Sequence, residues 1–340
     1  MPMIDENNNN SRLVVYLSLG ANLGQRKATL RHALAMLHDT TGIELARVSS
    51  FYETAPWGNL DQPPFINAAA MIYTILKPEE LLLQCQAIEK ELGRVRHEHW
   101  GARTIDIDLL CAPSFTCRTP SLTLPHQYLT ARAFVLTPLA EIAPDLVIGE
   151  KTVNEHQKDC ADSGAVRKVP GSPTDFCLKL IACVDKAWGI GFNGGLLFDM
   201  AADKEFFRRQ TMGHRLIMGR RTWESLPGQK ALPGRENFVL SRTLQSALGA
   251  TICLTTEDLW AALAEPSARE KQNFVIGGGE IYRLLLPYIE EALITKVDRL
   301  QDADTFLPNL DRRDIFYGEA IGADGIVEFW RYRRLAEKKG

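Results

Sequence analysis

Two aspartates two residues apart, Asp106 and Asp108, sit in the run Arg103-Thr104-Ile105-Asp106-Ile107-Asp108-Leu109-Leu110. Ile105, Ile107 and Leu109 alternate with them, which is the period of a β-strand with one buried face. Residues two apart leave a strand on the same side, so the two carboxylates stand next to each other. Like charges that close repel unless a cation lies between them. The alternation alone also fits two acids facing water on a half-exposed strand. The neighbours argue for more: Arg94, Arg96, His97, His99 and Arg103 crowd the preceding stretch, with Trp100 among them. A carboxylate pair beside a cationic, aromatic-bearing loop is a place for Mg²⁺ to hold polyphosphate.

Three stretches of the second half have chemistry of their own. In Asp203-Lys204-Glu205-Phe206-Phe207, helical spacing puts Asp203, Phe206 and Phe207 on one face. An acid on the apolar side of a helix needs a partner, because burying an unpaired carboxylate is costly; the plainer reading is a helix-start acid. Leu216–Arg220 reads as a strand running into Arg220-Arg221-Thr222 at a helix start, an arrangement that suits an anion. Phe274 to Tyr282 reads as a strand, a turn of Gly277, Gly278 and Gly279, and a helix. Glycines there let backbone N–H groups approach a diphosphate, although the order is not G-x-G-x-x-G.

These residues need a scaffold, and the chain reads as one that supplies two. Length of 340 residues suits two domains. Arg12–Leu19 is a strand ending at Gly20, and a helix from Arg26 carries Leu30, Ala33, Leu34 and Leu37 on one face. Ile43–Tyr52 and Ile66–Ile75 read as strands, joined by the proline- and aromatic-bearing loop Glu53–Phe65. Pro78-Glu79-Glu80 opens a helix running to about Gly93. Leu122–His126 and Arg132–Leu139 complete this first domain, taken as 12–150. Lys, Asp, Ser, Gly and Pro dominate 151–175, which reads as a linker. The second domain is 176–340, opening with the apolar strand Phe176–Val184 and the glycine-rich loop Lys186–Leu197.

The totals exclude several function classes. A formal net charge of −3 gives no electrostatic case for nucleic-acid binding. The seven cysteines are scattered and never spaced C-x-x-C, so they read as reduced thiols and not as a zinc site or disulfide frame. Met1–Ser11 is polar and resembles no targeting peptide. No apolar stretch approaches the about 18 residues of a membrane span. The expectation is a cytoplasmic protein acting on small molecules, with oligomeric state left open.

The first half resembles hydroxymethyl-dihydropterin pyrophosphokinase, an enzyme family of folate biosynthesis. The resemblance is carried by Ser18-Leu19-Gly20-Ala21-Asn22-Leu23-Gly24, Ser49 to Thr54, Phe65-Ile66-Asn67-Ala68, Gly93-Arg94-Val95-Arg96, Trp100 to Asp108, and Pro125-His126. It implies a ferredoxin-like α+β fold that moves the pyrophosphoryl group of ATP onto the pterin's hydroxymethyl oxygen and releases AMP. In that scheme Asp106 and Asp108 hold two Mg²⁺ ions, and Arg94 and Arg103 take part in catalysis. Arg94, Arg96, Arg103, His126 and Arg132 bind ATP. Gly20, Thr54, Trp57, Phe65, Asn67, Trp100 and Phe134 form the pterin pocket. Ala55 stands where the family usually has proline, and Phe65 where tyrosine is common.

The second half is similar to dihydrofolate reductase. The matching segments are Leu180-Ile181-Ala182, Gly189-Ile190-Gly191, Asp203 with Phe206-Phe207, Ile217 to Ser225, Leu232-Pro233-Gly234-Arg235, Ile276 to Tyr282, and Asp304-Thr305. The resemblance implies an α/β fold with a mostly parallel central sheet and NADPH across the carboxyl ends of its strands. Asp203 would bind the pterin and support its protonation, Arg235 would pair with the substrate's α-carboxylate, and Ile181, Phe207 and Ile276 would line the folate pocket. Arg220, Arg221 and Arg242 would select the 2′-phosphate, and Gly278 and Gly279 would hold the diphosphate. Ala182, Ile190, Gly219, Thr222, Ser241 and Tyr282 complete the cofactor set. Leu197-Phe198 replaces a common Pro-Trp, and Lys204 follows the acid where an apolar residue is frequent.

The sequence therefore reads as a bifunctional folate enzyme using ATP, Mg²⁺ and NADPH. The alternatives are one active half beside a pterin- or nucleotide-binding scaffold or sensor, or a nucleotide-binding interaction module on two familiar folds. The two half-reactions, assayed separately, discriminate these.

Overall fold

β1 (Leu13–Ala21) lies in the middle of the first sheet, and every residue from Val15 to Ala21 is buried. A run with so little alternation belongs to a strand covered on both faces. The computed structural model describes residues 12–56, 61–94, 102–161, 166–266, 270–313 and 315–335. Described residues up to Asp175 form one compact unit, and those from Phe176 onward form a second.

In the first unit α1 (Arg26–Asp39) buries Leu30, Ala33, Leu34 and Leu37, the stripe that its spacing predicts. β2 (Ile43–Val48), β3 (Phe51–Thr54), β4 (Phe65–Thr74), α2 (Pro78–Glu91) and β5 (Asp106–Cys111) follow. The sheet order is β3-β4-β1-β5, with β2 also on β4, and every pairing is antiparallel. α2 opens on Pro78 with Glu79 and Glu80 in its first turn, and the Lys77 N–H donates to Glu80 Oε2 at 2.9 Å. The one strand expected over Ile43–Tyr52 is broken at Ser49-Ser50. The cause is Glu141 on α3 (Ala133–Ile142), which accepts the Ser50 N–H at 2.7 Å, the Ser50 hydroxyl at 2.6 Å and the Tyr52 hydroxyl at 3.0 Å. A backbone N–H satisfied by a carboxylate no longer needs a ladder partner.

The described residues of 151–175, a stretch expected to be a linker, carry a helix and a strand and belong to the first unit. α4 (Val153–Asp159) opens with a reciprocal cap, Glu155 N–H to Thr152 Oγ1 at 3.2 Å and Thr152 N–H to Glu155 Oε2 at 2.7 Å. β6 (Arg167–Val169) then adds antiparallel to β3 at the sheet's edge. Lys27 and Arg31 on α1 each donate to a carbonyl of the following turn, Pro170 O and Gly171 O, at 2.6 Å. Asp175 accepts the Gly171 and Ser172 N–H groups at 2.7 and 2.9 Å, and the buried Ser172 hydroxyl donates to Ser49 O at 3.3 Å. The Pro, Gly, Ser and Asp that suggested a linker are thus turn and cap residues.

The second unit is built on β7 (Leu178–Val184), β8 (Arg215–Gly219), β9 (Glu236–Leu240), β10 (Thr251–Cys253), β11 (Asn273–Gly277), β12 (Ile289–Val297), β13 (Phe316–Asp324) and β14 (Val327–Arg334). The order across the sheet is β10-β9-β8-β11-β7-β12-β14-β13. β10 through β12 run parallel, while β14 and β13 join antiparallel, so the sheet is mixed. All five residues of β8 are buried, as in a parallel strand covered on both faces. The helices are α5 (Ala201–Thr211), α6 (Arg220–Ser225), α7 (Thr256–Ala264) and α8 (Gly279–Leu285). Ile181, Phe206, Leu216, Met218, Trp223, Val239, Phe274 and Leu293 form one core cluster. Among the described residues no helix is long and apolar enough to cross a membrane.

Candidate functional sites

The first site is a row of polar residues across adjacent strands. Asn67 on β4, Gly20 on β1 and Asp106 on β5 are in direct register, and Asp108 pairs with Ser18 one step along. Residues opposite one another in antiparallel strands share a face, so Asn67 and the two aspartates look out together. Gly20 makes room: a β-carbon there would come within 3.0 Å of Asn67 Oδ1. Asn67 is buried, and its Nδ2 donates to Thr54 Oγ1 at 2.8 Å.

Cations gather at the aspartates. Asp106 Oδ1 pairs with Arg94 at 2.5 Å, and its other oxygen pairs with Arg103. Arg94 also binds Glu89, which is only 3% exposed and accepts the Ile107 N–H at 2.7 Å. Burial holds Glu89 above the usual carboxylate range, against the Ile107 N–H and Arg94. Burial first, then the negative Asp106, pushes Asp108 up to about 7, while Arg103 and Arg132 pull the other way. Arg132 lies over the rings of Tyr128 at 4.6 Å and Phe134 at 5.6 Å. His126 accepts the Tyr128 N–H on Nδ1 at 3.2 Å, and burial with Arg132 lowers its proton affinity.

Asn22 pins two loops to this edge. Its Oδ1 accepts the Arg103 N–H at 2.7 Å, and its Nδ2 donates to Gln62 Oε1 and Pro63 O at 3.1 and 3.2 Å. Arg26 donates to Pro64 O at 2.6 Å and pairs with Glu53, which also pairs with Arg167 at 2.7 Å. Phe65, half-buried, follows directly. Trp57, Arg96 and Trp100, named from the sequence, lie outside the described residues. Asn22 and Glu89 were not singled out as site residues; a polar residue at the end of the first strand and an acid on α2 near its C-terminus were the only signals.

In the second unit Asp203 is the third residue of α5 and half-buried, so the helix-start and pocket readings both describe it. Burial holds its carboxyl above the usual range, opposed by the Thr295 hydroxyl on β12. Thr295, missed in the sequence, is wholly buried and its hydroxyl has no well-formed hydrogen bond among the described residues. Ile181 is buried; Phe207 and Ile276 are half-buried and pack against the same cluster. Arg235 lies 5.9 Å from the Phe207 ring and donates to Pro233 O at 3.0 Å and Thr211 Oγ1 at 3.3 Å. Phe206 is core, stacked on Phe329 at 4.5 Å.

At the carboxyl ends of the neighbouring strands β8 and β11, two helices start. Gly219 ends β8, where a β-carbon would stand 2.8 Å from Ile281, and Arg220-Arg221-Thr222 opens α6 with both arginines exposed. Arg220 pairs with Glu224 at 2.9 Å. β-Carbons at Gly277 and Gly278 would reach Thr222 Oγ1 at 3.3 and 3.4 Å, and Gly277 has φ +123°, so this turn depends on glycine. Gly279 begins α8. Ser241 accepts the Leu244 N–H at 3.0 Å in the turn that presents the exposed Arg242. Ala182 and Ile190 are half-buried on β7 and on the following strand Gly189–Phe192. Tyr282 is buried with its hydroxyl donating to Ile181 O at 2.7 Å, so it braces β7 from behind the turn. Lys204 turns away from the pocket to pair with Asp199. Asp304 accepts the Asn193 N–H at 2.7 Å, joining two loops beside the strand ends.

Comparison with known proteins agrees with this division. A family model described as 7,8-dihydro-6-hydroxymethylpterin-pyrophosphokinase matches residues 16–144, and one described as dihydrofolate reductase matches residues 177–319. The chain is 49% identical over 152 residues to a 2-amino-4-hydroxy-6-hydroxymethyldihydropteridine pyrophosphokinase of Methylorubrum extorquens, covering 45% of this chain and 96% of the relative. To the protein of the same name from Bacillus subtilis it is 46% identical over 129 residues, 38% of this chain and 77% of the relative. To the folic acid synthesis protein fol1 of Schizosaccharomyces pombe it is 42% identical over 134 residues, 39% of this chain and 18% of that one. The chain belongs to the hydroxymethyl-dihydropterin pyrophosphokinase family, with a dihydrofolate reductase domain as its second unit.

Proposed function

We propose that this chain carries two steps of folate metabolism. The first unit moves the pyrophosphoryl group of ATP onto the hydroxymethyl oxygen of a 6-hydroxymethyl-7,8-dihydropterin and releases AMP. The second reduces 7,8-dihydrofolate to tetrahydrofolate with NADPH. One observation carries the reading: in each unit other segments of the chain converge on an acid, Arg94, Arg103 and Arg132 on Asp106 and Asp108, and the Thr295 hydroxyl on Asp203.

The strand–helix–strand order of the first unit supports a ferredoxin-like class. Asp106 and Asp108 fit Mg²⁺: both offer hard oxygen donors from one face of one strand. That suits an ion held by one or two carboxylates and completed by phosphate and water. Two such ions would neutralise the triphosphate and align the attacking oxygen. Arg94, Arg103 and Arg132 pair with phosphoryl oxygens, for which guanidinium is the natural bidentate donor. His126 and Arg96 serve the same triphosphate. Asn67 reads the pterin edge beside Gly20 and Thr54, and Phe65, Phe134, Trp57 and Trp100 flank the ring.

In the second unit the glycine turn fits a diphosphate: Gly277 has φ +123° and a β-carbon there would crowd Thr222 Oγ1 at 3.3 Å. NADPH bound there supplies the hydride. Arg220, Arg221 and Arg242 meet the 2′-phosphate, while Ala182, Ile190, Gly219, Thr222, Ser241, Gly278, Gly279 and Tyr282 shape or support the cofactor groove. Asp203 holds the pterin and supports the proton that N5 must gain, Ile181, Phe207 and Ile276 wall the ring, and Arg235 meets the α-carboxylate. The test is two assays on the full chain: AMP release from ATP with hydroxymethyl-dihydropterin, and NADPH oxidation with dihydrofolate. Both should proceed; loss of either reduces that half to a binding scaffold.

A further inference from the structure

β5 is the outer strand of its sheet and pairs with β1 alone. Its Ile107 N–H is taken by Glu89 of α2, which accepts it on Oε1 at 2.7 Å. Ile107 stands between the two aspartates, so this bond fixes α2 to the strand that carries them. The same Oε1 pairs with the Arg94 guanidinium, and the Arg94 backbone N–H donates to Glu89 O at 2.9 Å. Both ends of the arginine are thus tied to one residue. The guanidinium nitrogen that Glu89 holds also meets Asp106 Oδ1 at 2.5 Å. The Glu89 side chain is 4% exposed, against 18% for Arg94 and 20% for Asp106. Glu89 therefore closes the inner side of the arginine, and the side toward Asp106 is the one a ligand can reach.

We propose that Glu89 is a positioning residue for pyrophosphoryl transfer: its buried carboxylate anchors the Arg94 guanidinium beside the acid pair, so that the arginine stays in place for phosphate when Asp106 turns to a metal ion. This rests on the roles given to Arg94 and Asp106 above. An Asp106 oxygen engaged by another cation has less to offer a guanidinium, and a long arginine side chain held by nothing else is free to swing away. Glu89 supplies the second hold. A buried carboxylate without its counter-charge is costly, so the tie binds Glu89 to the arginine as firmly as the arginine to Glu89. Glu89 touches neither nucleotide nor pterin in this scheme and acts through Arg94.

The test is a double-variant cycle on the full chain with two readouts. One is kcat for AMP release; the other is the Kd of α,β-methylene-ATP with Mg²⁺, which binds without reacting because the bond that must break joins the α- and β-phosphates. Glu89→Gln keeps the bulk and an oxygen for the Ile107 N–H but removes the charge. It should lower kcat and weaken the analogue by roughly 10-fold each, with the KM for hydroxymethyl-dihydropterin near that of the unaltered protein. In an Arg94→Ala background the same substitution should move neither readout, because nothing is left for Glu89 to position. If the glutamine variant misfolds, Glu89→Asp replaces it; it draws the charge back by one methylene, and its loss should likewise vanish beside Arg94→Ala. Unchanged kcat and Kd in Glu89→Gln overturn the inference. So does a loss that persists in full beside Arg94→Ala, which would make Glu89 a brace for β5 alone. Arg94→Ala by itself separates the two levels: unchanged transfer and binding in that variant refute the ATP role of Arg94. A slowed Arg94→Ala variant with an undiminished Glu89 effect refutes only the part given to Glu89.

Discussion

The acid pair of the first unit and the single acid of the second use one side chain in contrasting company. Around Asp106 and Asp108 stand Arg94, Arg103, Arg132 and the buried Glu89. Beside Asp203 stand the Thr295 hydroxyl and the apolar cluster that includes Phe206. Both Asp108 and Asp203 are shifted upward by burial, yet only Asp108 has charged neighbours on both sides of the balance. The first site therefore responds to ions, because added charge rearranges a network that is already charged. The second is expected to respond to hydration, because burial is the main influence on its acid.

The contrast can be broken first at Asp108. Asp108→Ala should lower pyrophosphoryl transfer by at least about 10²–10³-fold while dihydrofolate reduction stays near that of the unaltered protein, and transfer retained at saturating Mg²⁺ would refute the ionic role. Asp203→Asn is the mirror experiment. It should cost the reductase about 10²–10⁴-fold at pH 7, with part of the rate returning in acid, where solvent can protonate the substrate; a normal rate at neutral pH leaves Asp203 as a helix-start acid only. Charge recognition in the second unit is expected at α6, not at Asp203. Replacing Arg220 and Arg221 with neutral residues should weaken NADPH roughly 10–100-fold and NADH little, and equal losses would exclude a 2′-phosphate role. The smallest effect is on stability. A carboxyl whose folded-state pKa is raised adds stability below its unfolded pKa and loses it as pH climbs through the folded value. Asp203→Asn should thus raise the reductase thermal midpoint at neutral pH by on the order of a few degrees, and the gain should fade in acid. A midpoint difference that does not vary with pH would show that the carboxyl carries no burial cost.

The residues legible in advance were those whose type and spacing both spoke. Asp106 and Asp108 announced a shared face, Arg220-Arg221-Thr222 a helix start, and Gly277-Gly278-Gly279 a close turn, and each occupies that local position. What escaped were partners brought in by tertiary pairing. Thr295 lies far along the chain from Asp203, in an apolar strand where a threonine gives no local signal. Glu89 sits on a helix among other polar residues, and only the arrival of Ile107 and Arg94 makes it special. The break at Ser49-Ser50 is likewise written in Glu141, on a different helix. Composition misjudged 151–175, because proline, glycine and serine mark tight turns against a sheet edge as readily as a loose tether.

That last segment decides where the chain can be cut. A polypeptide ending at Glu150 would lack β6 and so leave the outer edge of β3, Phe51 to Glu53, without its ladder. Bare edges invite pairing with other chains, so such a fragment should self-associate. It would also strip Ser172 from Ser49 O and leave the carbonyl ends of two α1 side-chain hydrogen bonds, Lys27 to Pro170 O and Arg31 to Gly171 O, missing. A fragment ending at Asp175 retains all of these. The natural scissors point between the two enzymes is therefore Asp175-Phe176, past the residues that look most like a hinge.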